Sequence, residues 1–301
     1  MRKLIAVLLA CTWIGALPLL AATDSASNPK DELALTALEG LMSAPAERAL
    51  PLLRKVLSGN RSDLIKRRAL FVLSQIEQPE AQQLLLEHAR GANPALSHEA
   101  IRAVGIGGDS DSLGELSTIY RDGDSEVRDA VLEAWMISDR EEEIFQVALA
   151  ATSEAEADKA IHLLGAMDAR QSLRRLGEAG KGSASLMQAY AISGDLPALT
   201  QIVRESDDQS LRIAAIQGIG IIDGDEARQA LQQIYGQAEN EEVREAALHG
   251  MLIADDEQGV LGLYQASSDP VRKQELLRTL TMIGGDAALE AIDAALEGRQ
   301  P

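Results

Sequence analysis

Apolar residues recur three and four positions apart along most of the chain, and polar residues occupy the positions between them. The spacing is regular from Val127 to Trp135 and again from Leu199 to Val203. It is the pattern of amphipathic α-helices, whose apolar side chains line one face. No stretch alternates apolar and polar residues over the length of a strand, so the pattern predicts helices and no sheet.

One apolar motif returns at a nearly constant distance, in its fullest form at residues 243–251 (Val-Arg-Glu-Ala-Ala-Leu-His-Gly-Met). Near copies stand at residues 65–70, 127–132 and 211–216. We define the residue equivalent to Val243 as the anchor position of each unit. Successive anchors lie 26–32 residues apart, which predicts stacked repeats rather than separate globules. The anchors are Ile65, Leu96, Val127, Glu156, Gly182, Leu211, Val243 and Val271, of which Glu156 and Gly182 depart from the motif.

Each unit repeats the same order of elements: a first helix that begins near the anchor, a turn, a second helix and a polar turn. Glycine often ends a helix in the left-handed conformation, and aspartate often caps the helix that follows. We therefore expect Gly-Asp pairs at the turn inside the unit. The pairs are Gly108-Asp109, Gly194-Asp195, Gly224-Asp225 and Gly285-Asp286.

A single helical hairpin cannot bury its apolar face alone, whereas a stack of hairpins can. Ahead of the first anchor, residues 31–43 and 46–57 form one further predicted helix pair. The sequence therefore predicts an all-α protein, an α-solenoid that forms a right-handed superhelix of about nine HEAT-like helical hairpins over residues 31–298. We expect second helices to line its concave face and the end units to have polar outer faces.

The Val-Arg-x-x-Ala-Leu anchors and the Gly-Asp turns are similar to HEAT repeats, specifically the short HEAT-like type associated with phycobilisome lyases. The resemblance covers nearly all of residues 31–298. It implies a scaffold that binds other proteins, because most such repeats serve that purpose. Some members of the class are enzymes, so a HEAT-like enzyme or chromophore lyase with a site in the concave groove is the alternative.

The first 22 residues have the layout of a secretory signal peptide, and a polar linker over residues 23–30 follows. Arg2 and Lys3 form a basic start, and residues 4–20 are almost continuously apolar. An uncleaved N-terminal anchor is one alternative, since this run is near the lower length limit of a membrane-spanning helix. Lipidation at Cys11 is another, because residues 8–11 resemble a bacterial lipobox. We expect a periplasmic or otherwise exported protein, or an anchored one that faces the periplasm.

The net charge and the cysteine content limit the classes of partner and site that we expect. The formal net charge is −19, which repels phosphate backbones and anionic lipid headgroups. We therefore expect protein partners, no nucleic acid, and membrane contact only if the leader is retained. Cys11 is the only cysteine, so the chain after the leader has no disulfide, thiol nucleophile or cysteine-ligated zinc.

The histidine and acidic motifs are the candidates for catalytic or metal sites. His98-Glu99 resembles the His-Glu dyad of deoxyhypusine hydroxylase, a HEAT-like iron enzyme that needs several such dyads, whereas this chain has one. The spacing Asp122-x-Asp124-x-Glu126, with Glu133, is similar to a calcium loop, but its sixth position is an anchor rather than glycine. We expect no metal and no catalytic residue here. The remaining histidines, expected on helix surfaces, are His88, His162 and His249.

Glycine, tyrosine and arginine residues offer further candidates. Gly105-x-Gly107-Gly108 and Gly218-x-Gly220 resemble a dinucleotide motif but follow no strand, so we expect helix termination and close packing and no bound cofactor. The tyrosines near the ends of second helices suit a peptide or bilin groove, or packing between repeats. Arginines on second helices suit an acidic partner or local charge neutralisation. These residues are Tyr120, Tyr235, Tyr264, Arg174, Arg175 and Arg204.

The sequence thus favours an exported protein-binding scaffold that uses the concave face of a HEAT-like solenoid. No assembled catalytic, cofactor-binding or metal-binding group is visible, and the partner-binding residues are unknown from the sequence.

Overall fold

The computed structural model describes residues 29–238 and 240–297, and within them every regular element is an α-helix. The helices form nine consecutive hairpins over these ranges, which confirms the predicted all-α solenoid. The signal-peptide and anchor predictions for residues 1–22 lie outside the described residues. So does most of the expected linker, except that the first helix already begins at Pro29. No helix in the described ranges has the length and hydropathy that crossing a membrane requires.

The first helices of the nine hairpins are α1 (Pro29–Leu41), α3 (Asp63–Ser74), α5 (Pro94–Gly107), α7 (Ser125–Ile137), α9 (Glu154–Ala166), α11 (Ala184–Ile192), α13 (Gln209–Ile221), α15 (Glu241–Ile253) and α17 (Pro270–Ile283). The second helices are α2 (Ala46–Ser58), α4 (Pro79–Ala89), α6 (Ser110–Asp122), α8 (Glu141–Ala150), α10 (Arg170–Glu178), α12 (Leu196–Glu205), α14 (Asp225–Gln237), α16 (Glu257–Ala266) and α18 (Gly285–Leu296).

First helices pack closely on the first helices of neighbouring hairpins, and second helices pack on the first helix that follows them. Contacts between successive second helices are much sparser. At most junctions the first helices therefore form the more closely packed layer of the stack. That second helices line the concave face stays a prediction.

Small residues are the physical reason for the close packing of first helices. Gly105 on α5 faces Ala134 on α7, and a Cβ atom added to Gly105 would lie 2.7 Å from the Cα of Ala134. Gly220 on α13 faces Gly250 on α15 in the same way, with a corresponding distance of 2.8 Å. Because no side chain separates the backbones at these points, the helices approach each other closely.

At α7, α13 and α15, the arginine of the Val-Arg motif joins the first helix to the end of the second helix before it. Arg128 Nε donates to the carbonyl of Tyr120 at 3.3 Å, and Arg212 Nε donates to the carbonyl of Val203 at 3.1 Å. The last carbonyls of a helix lack partners within the helix. The repeated arginine satisfies one of them and thereby sets the position of the following hairpin.

The turns inside the hairpins follow the Gly-Asp expectation only in part. Gly194 adopts a left-handed φ of 67°, and Asp195 caps α12 through its side chain, as expected. Asp109 caps α6, but Gly108 before it has a φ of −69°. Gly224 is itself the residue before α14, so Asp225 lies inside that helix. Gly285-Asp286 likewise lies inside α18. At three other turns the left-handed residue is an aspartate: Asp139, Asp168 and Asp255.

The two end hairpins expose apolar side chains. Leu33 on α1, and Leu289 and Leu296 on α18, are all strongly exposed. Among the described hairpins, each end hairpin has a neighbour on one side only. The expectation of polar outer faces therefore does not hold at these positions.

Candidate functional site

The stacking of first helices is interrupted between α7 and α9, which barely touch. At the close junctions, a small residue nine positions after one anchor faces a small residue seven positions after the next, as Gly165 on α9 faces Ala189 on α11. The corresponding residues at the α7–α9 junction are Met136 and Leu163. Two large side chains replace two small ones, so α7 and α9 stay apart while α8 still packs on α9.

Glu156 occupies the anchor position of the fifth hairpin, where Val243 is buried in the eighth. Oε1 of Glu156 accepts a hydrogen bond from the Tyr120 hydroxyl at 2.7 Å and lies 3.6 Å from Nη1 of Arg128. A carboxylate loses less by partial burial when it has such partners. The departure from the motif that is visible in the sequence therefore creates a polar cluster at the open junction.

An aromatic pair forms the apolar side of the same cluster. The rings of Tyr120 and Trp135 stack with centroids 5.5 Å apart and an angle of 29° between their planes. The Arg128 guanidinium carbon lies 5.7 Å from the Tyr120 ring centroid, within the range of a cation–π contact. Arg128 is thus held by the ring, the backbone carbonyl of Tyr120 and the carboxylate of Glu156.

Two adjoining cavities of about 490 and 450 Å³ open at this junction and share Tyr120, Arg128 and Glu156. The first is lined mainly by α6 and α8, and the second by α7 and α9. We call them together the junction slot. Their main lining residues are Ser117, Tyr120, Arg128, Asp129, Leu132, Trp135, Glu143, Gln146, Val147, Glu156 and Lys159.

Two polar groups in the slot have unusual environments. The Trp135 side chain is buried, and its Nε1 has no hydrogen-bond partner among the described residues. Leaving such a donor unpaired costs free energy, which an acceptor reaching it would recover. Burial, and then the neighbouring Glu156 carboxylate, raise the pKa of the Tyr120 hydroxyl well above its usual value. Tyr120 therefore remains a hydrogen-bond donor throughout the neutral range.

The charged rim of the slot is tied to its walls. Lys159 on α9 lies 2.5 Å from a carboxylate oxygen of Asp129 on α7, so an ion pair bridges the open junction. Arg175 pairs with Glu142 at 2.9 Å and stacks 3.8 Å from the ring centroid of Phe145. The Arg175 hydrogen bond holds the pKa of the Glu142 carboxyl below its usual value. The rim therefore presents both signs of charge around an apolar wall.

The structure does not bring the predicted histidine candidates together. His98 lies in a shallow groove on α5, and His249 lies in a different groove between α15 and α17. His162 contacts the carbonyl of Asp158 and the side chain of Gln188. His88 lies on α4, where partial burial lowers its pKa. Within residues 29–238 and 240–297, no three His, Cys, Asp or Glu side chains are grouped to hold a metal ion.

The acidic motif lies at the start and on the surface of α7, and the glycine motifs lie at close contacts between helices. Asp124 caps α7 by accepting a hydrogen bond from the backbone N–H of Val127 at 2.9 Å, and Glu133 is exposed on α7. Gly105 lies inside α5 and Gly220 inside α13, both at close helix contacts, as predicted for the two glycine motifs.

The tyrosine and arginine candidates divide between packing and the slot. Tyr235 and Tyr264 are buried between repeats, whereas Tyr120 lines the junction slot. Arg174 makes two hydrogen bonds to the buried carboxylate of Asp195, at 2.7 and 2.6 Å. Local neutralisation is therefore confirmed for Arg174, as it is for Arg175. Arg204 is exposed and makes no hydrogen bond or ion pair with the described part of the chain. These residues are thus chiefly structural, except Tyr120.

Sequence reasoning named Tyr120 and the unusual anchor Glu156, but it missed Arg128 and Trp135 as site residues. Both belong to a regular copy of the repeat motif, so nothing in their own segment distinguishes them. A usable signal was present one repeat later. The replacement of an apolar anchor by Glu156 marks the junction at which the preceding repeat loses its usual neighbour.

The comparisons with known proteins concern the fold. A family model described as HEAT repeats matches residues 51–136 and 196–281, together more than half of the chain. The stretch between the two matches contains the irregular anchors Glu156 and Gly182. A search of curated proteins finds no match.

Two solved structures are similar at low identity. Human deoxyhypusine hydroxylase in complex with glycerol is 18% identical with a TM-score of 0.31, over 75% of this chain and 99% of that chain. A Kap121p mutant is 14% identical with a TM-score of 0.34, over 89% of this chain and 32% of that chain. The match thus spans about a third of the Kap121p chain.

Proposed function

Because this chain belongs to the HEAT-repeat family, we propose that it is an exported scaffold that binds a partner protein on the face formed by its first helices. In such solenoids, stacked hairpins form one extended surface. We assign the junction slot as the point at which the partner is anchored. The part of the slot between α7 and α9 is lined by first helices, so a segment lying along the first-helix face has access to it.

The composition of the slot carries this proposal. Tyr120, Arg128 and Trp135 belong to the three residue types most enriched among the residues that dominate binding energy in protein interfaces. Tyr120 contacts both of the other residues, because its ring stacks on Trp135 and lies beside the Arg128 guanidinium. All three line a cavity at the junction between α7 and α9. An apolar partner side chain would contact the ring wall, and a polar group beside it would meet Arg128 or Glu156.

The experiment is site-specific photo-crosslinking in the cells that make the protein. A photo-reactive residue replaces Gln146, an exposed rim residue of the slot, and a control chain carries it at Glu226, which is exposed on α14. We expect a discrete protein adduct from position 146 and none from position 226, identified by mass spectrometry. Equal labelling from both positions, or no protein adduct from position 146, would contradict the proposal.

A matched variant tests the slot itself. Glu156→Val gives the fifth hairpin the apolar anchor of its neighbours and removes the acceptor for Tyr120 and Arg128. We expect the adduct from position 146 to be lost while the purified variant keeps its helical circular dichroism spectrum. An unchanged adduct in this variant would show that the slot does not anchor the partner.

The proposal includes no catalysis. It is supported by the separate surroundings of His98, His162 and His249. A small molecule is the rival occupant, since cavities of this size are typical of ligand sites. Native mass spectrometry of the protein purified from its own cells distinguishes the two, because a bound small molecule would add a constant mass that Glu156→Val removes.

Export is the second part of the proposal and rests on the layout of the first 22 residues. Fractionation of cells, followed by N-terminal sequencing of the recovered chain, tests it. A chain that begins after the apolar run and is released with the periplasmic or secreted fraction agrees with export. An intact N-terminus in the cytosolic fraction contradicts it.

A further inference from the structure

A row of half-exposed isoleucines follows the layer of first helices, separate from the junction slot. Ile106, Ile137, Ile192, Ile221 and Ile253 are between 39% and 51% exposed. Each lies ten positions after its anchor, in the last turn of a first helix. Because successive hairpins stack in register, residues at one repeat position form a line along the solenoid. We call this line the isoleucine ladder.

The ladder is continuous over three neighbouring hairpins. Ile192, Ile221 and Ile253 stand on α11, α13 and α15, whose close packing is shown by Gly220 against Gly250. On α9 the same position is Ala166, which separates these three residues from the two before them. Isoleucine has a lower helix propensity than alanine or leucine, so helix formation does not require its repetition at this position.

An acidic row lies beside the ladder. Two positions after Ile221 and Ile253 come Asp223 and Asp255, both exposed and without an ion-pair partner among the described residues. Arg228, which reaches the carbonyl of Ala254, is already paired with Asp225. The chain as a whole carries a formal net charge of −19. The apolar line is therefore bordered by uncompensated negative charge, which favours a cationic partner and disfavours a second copy of this chain.

The spacing of the ladder matches one kind of secondary structure. Packed helices lie about 8–10 Å apart, which sets the distance between neighbouring isoleucines. Seven residues of an α-helix rise roughly 10.5 Å, so apolar side chains at every seventh position meet successive isoleucines. Basic residues beside that apolar line would face the aspartates.

We propose that the isoleucine ladder from Ile192 to Ile253, with Asp223 and Asp255, is a docking surface for a basic amphipathic helix of a partner protein. This goes beyond the slot proposal, because it names a second surface and the chemistry of what covers it. The helix lies across α11, α13 and α15 with its apolar face on the ladder.

The test uses the full chain and a synthetic helical peptide of about 20 residues, with leucine at every seventh position and lysines beside the leucines. Binding is followed by fluorescence anisotropy. The ladder variant combines Ile192→Ser, Ile221→Ser and Ile253→Ser. The control variant combines Leu33→Ser, Val271→Ser and Leu289→Ser, which are more exposed apolar residues outside the ladder. We expect at least about tenfold weaker binding for the ladder variant and less than about twofold for the control.

Charge is tested separately. Asp223→Asn with Asp255→Asn should weaken binding about threefold to tenfold and flatten its dependence on salt, because two screened attractions are removed. Asparagine also tolerates the left-handed φ of 52° at Asp255. Glu133→Gln with Glu226→Gln, two exposed acids elsewhere, should leave the affinity unchanged.

Three outcomes would overturn the ladder proposal: equal losses in ladder and control variants, equal binding of a peptide with glutamate in place of lysine, or a ladder variant that loses self-association instead of peptide binding. Ile221→Ser alone, with an expected loss of about threefold, keeps the test decisive if the triple variant unfolds. The photo-crosslink at position 146 is measured in the same ladder variant. Its survival separates a failure of the ladder from a failure of the slot.

Discussion

The α13–α15 junction and the α7–α9 junction are built from the same repeat and pack in opposite ways. At the first, Gly220 and Gly250 bring two backbones into contact, and Val243 is buried at the anchor position. At the second, Met136 and Leu163 hold the helices apart, and a carboxylate replaces the apolar anchor. One junction is closed and dry, and the other contains the junction slot.

The difference shows how a repeat protein acquires a site without a new element. A close junction needs small residues on both helices and an apolar anchor, since each allows the next hairpin to approach. Changing all three at one junction leaves the hairpins and the packing of α8 on α9 intact but removes most of the contact between α7 and α9. The aromatic and charged groups beside that gap then line the junction slot.

The largest expected effect comes from adding a side-chain atom where the backbones of α13 and α15 are in contact. Gly220→Ala puts a Cβ atom 2.8 Å from backbone atoms of Gly250. We expect it to lower the free energy of unfolding by about 2 kcal/mol, because the helices must separate. Urea denaturation, with hydrogen exchange of α13 and α15, measures it. Gly114→Ala, which has open space around it, should instead stabilise by up to about 1 kcal/mol. Similar effects of both substitutions would refute the role of close approach.

A smaller effect is expected for the polar contact at the open junction. The Tyr120 hydroxyl donates to Glu156 at 2.7 Å in a partly buried setting. Tyr120→Phe should cost about 1 kcal/mol, and most of that cost should vanish in a Glu156→Val background, which has no side-chain acceptor. A double-mutant cycle on the free energy of unfolding measures the coupling. Additive effects of the two substitutions would mean that the hydrogen bond does not stabilise the junction.

Removing bulk from the open junction should cost less than adding a methyl group to the closed one. Met136 is only partly buried, so Met136→Ala should lower the free energy of unfolding by less than about 1 kcal/mol. Chemical denaturation alongside Gly220→Ala gives the comparison directly. If Met136→Ala proved the more damaging of the two, the junction would be packed more tightly than the slot indicates.

The smallest effect at neutral pH concerns titration. The pKa of Tyr120 is raised above its unfolded value of 10.0 by burial and by Glu156. The contribution of the neutral hydroxyl is therefore fully present below pH 10 and is lost as the pH rises from there through the folded-state value. Glu156→Gln should lower the pKa of Tyr120, which absorbance of the tyrosinate form measures. At pH 7 this change in pKa should have almost no effect on the free energy of unfolding, because the hydroxyl is neutral with either pKa. An unchanged titration curve would contradict the assigned cause.

Much of the fold was predictable because its signals are local. The three-and-four spacing of apolar residues and the repeated anchors sufficed to place nine hairpins in the described ranges. The close packing of the first helices was not, because it depends on pairs such as Gly105 and Ala134, which are 29 positions apart in the sequence and belong to different hairpins. The identification of Tyr120 as a site residue likewise required its contact with Trp135 and Glu156.

By itself, the sequence determined the repeat length, the helical hairpins and the positions at which the motif breaks. Each of these follows from the order of apolar and polar residues within one hairpin. The tertiary structure alone decided which helices pack most closely, where the stack opens and which isoleucines stay exposed. These depend on how closely two backbones approach, and that distance is set by side chains from separate repeats meeting in space.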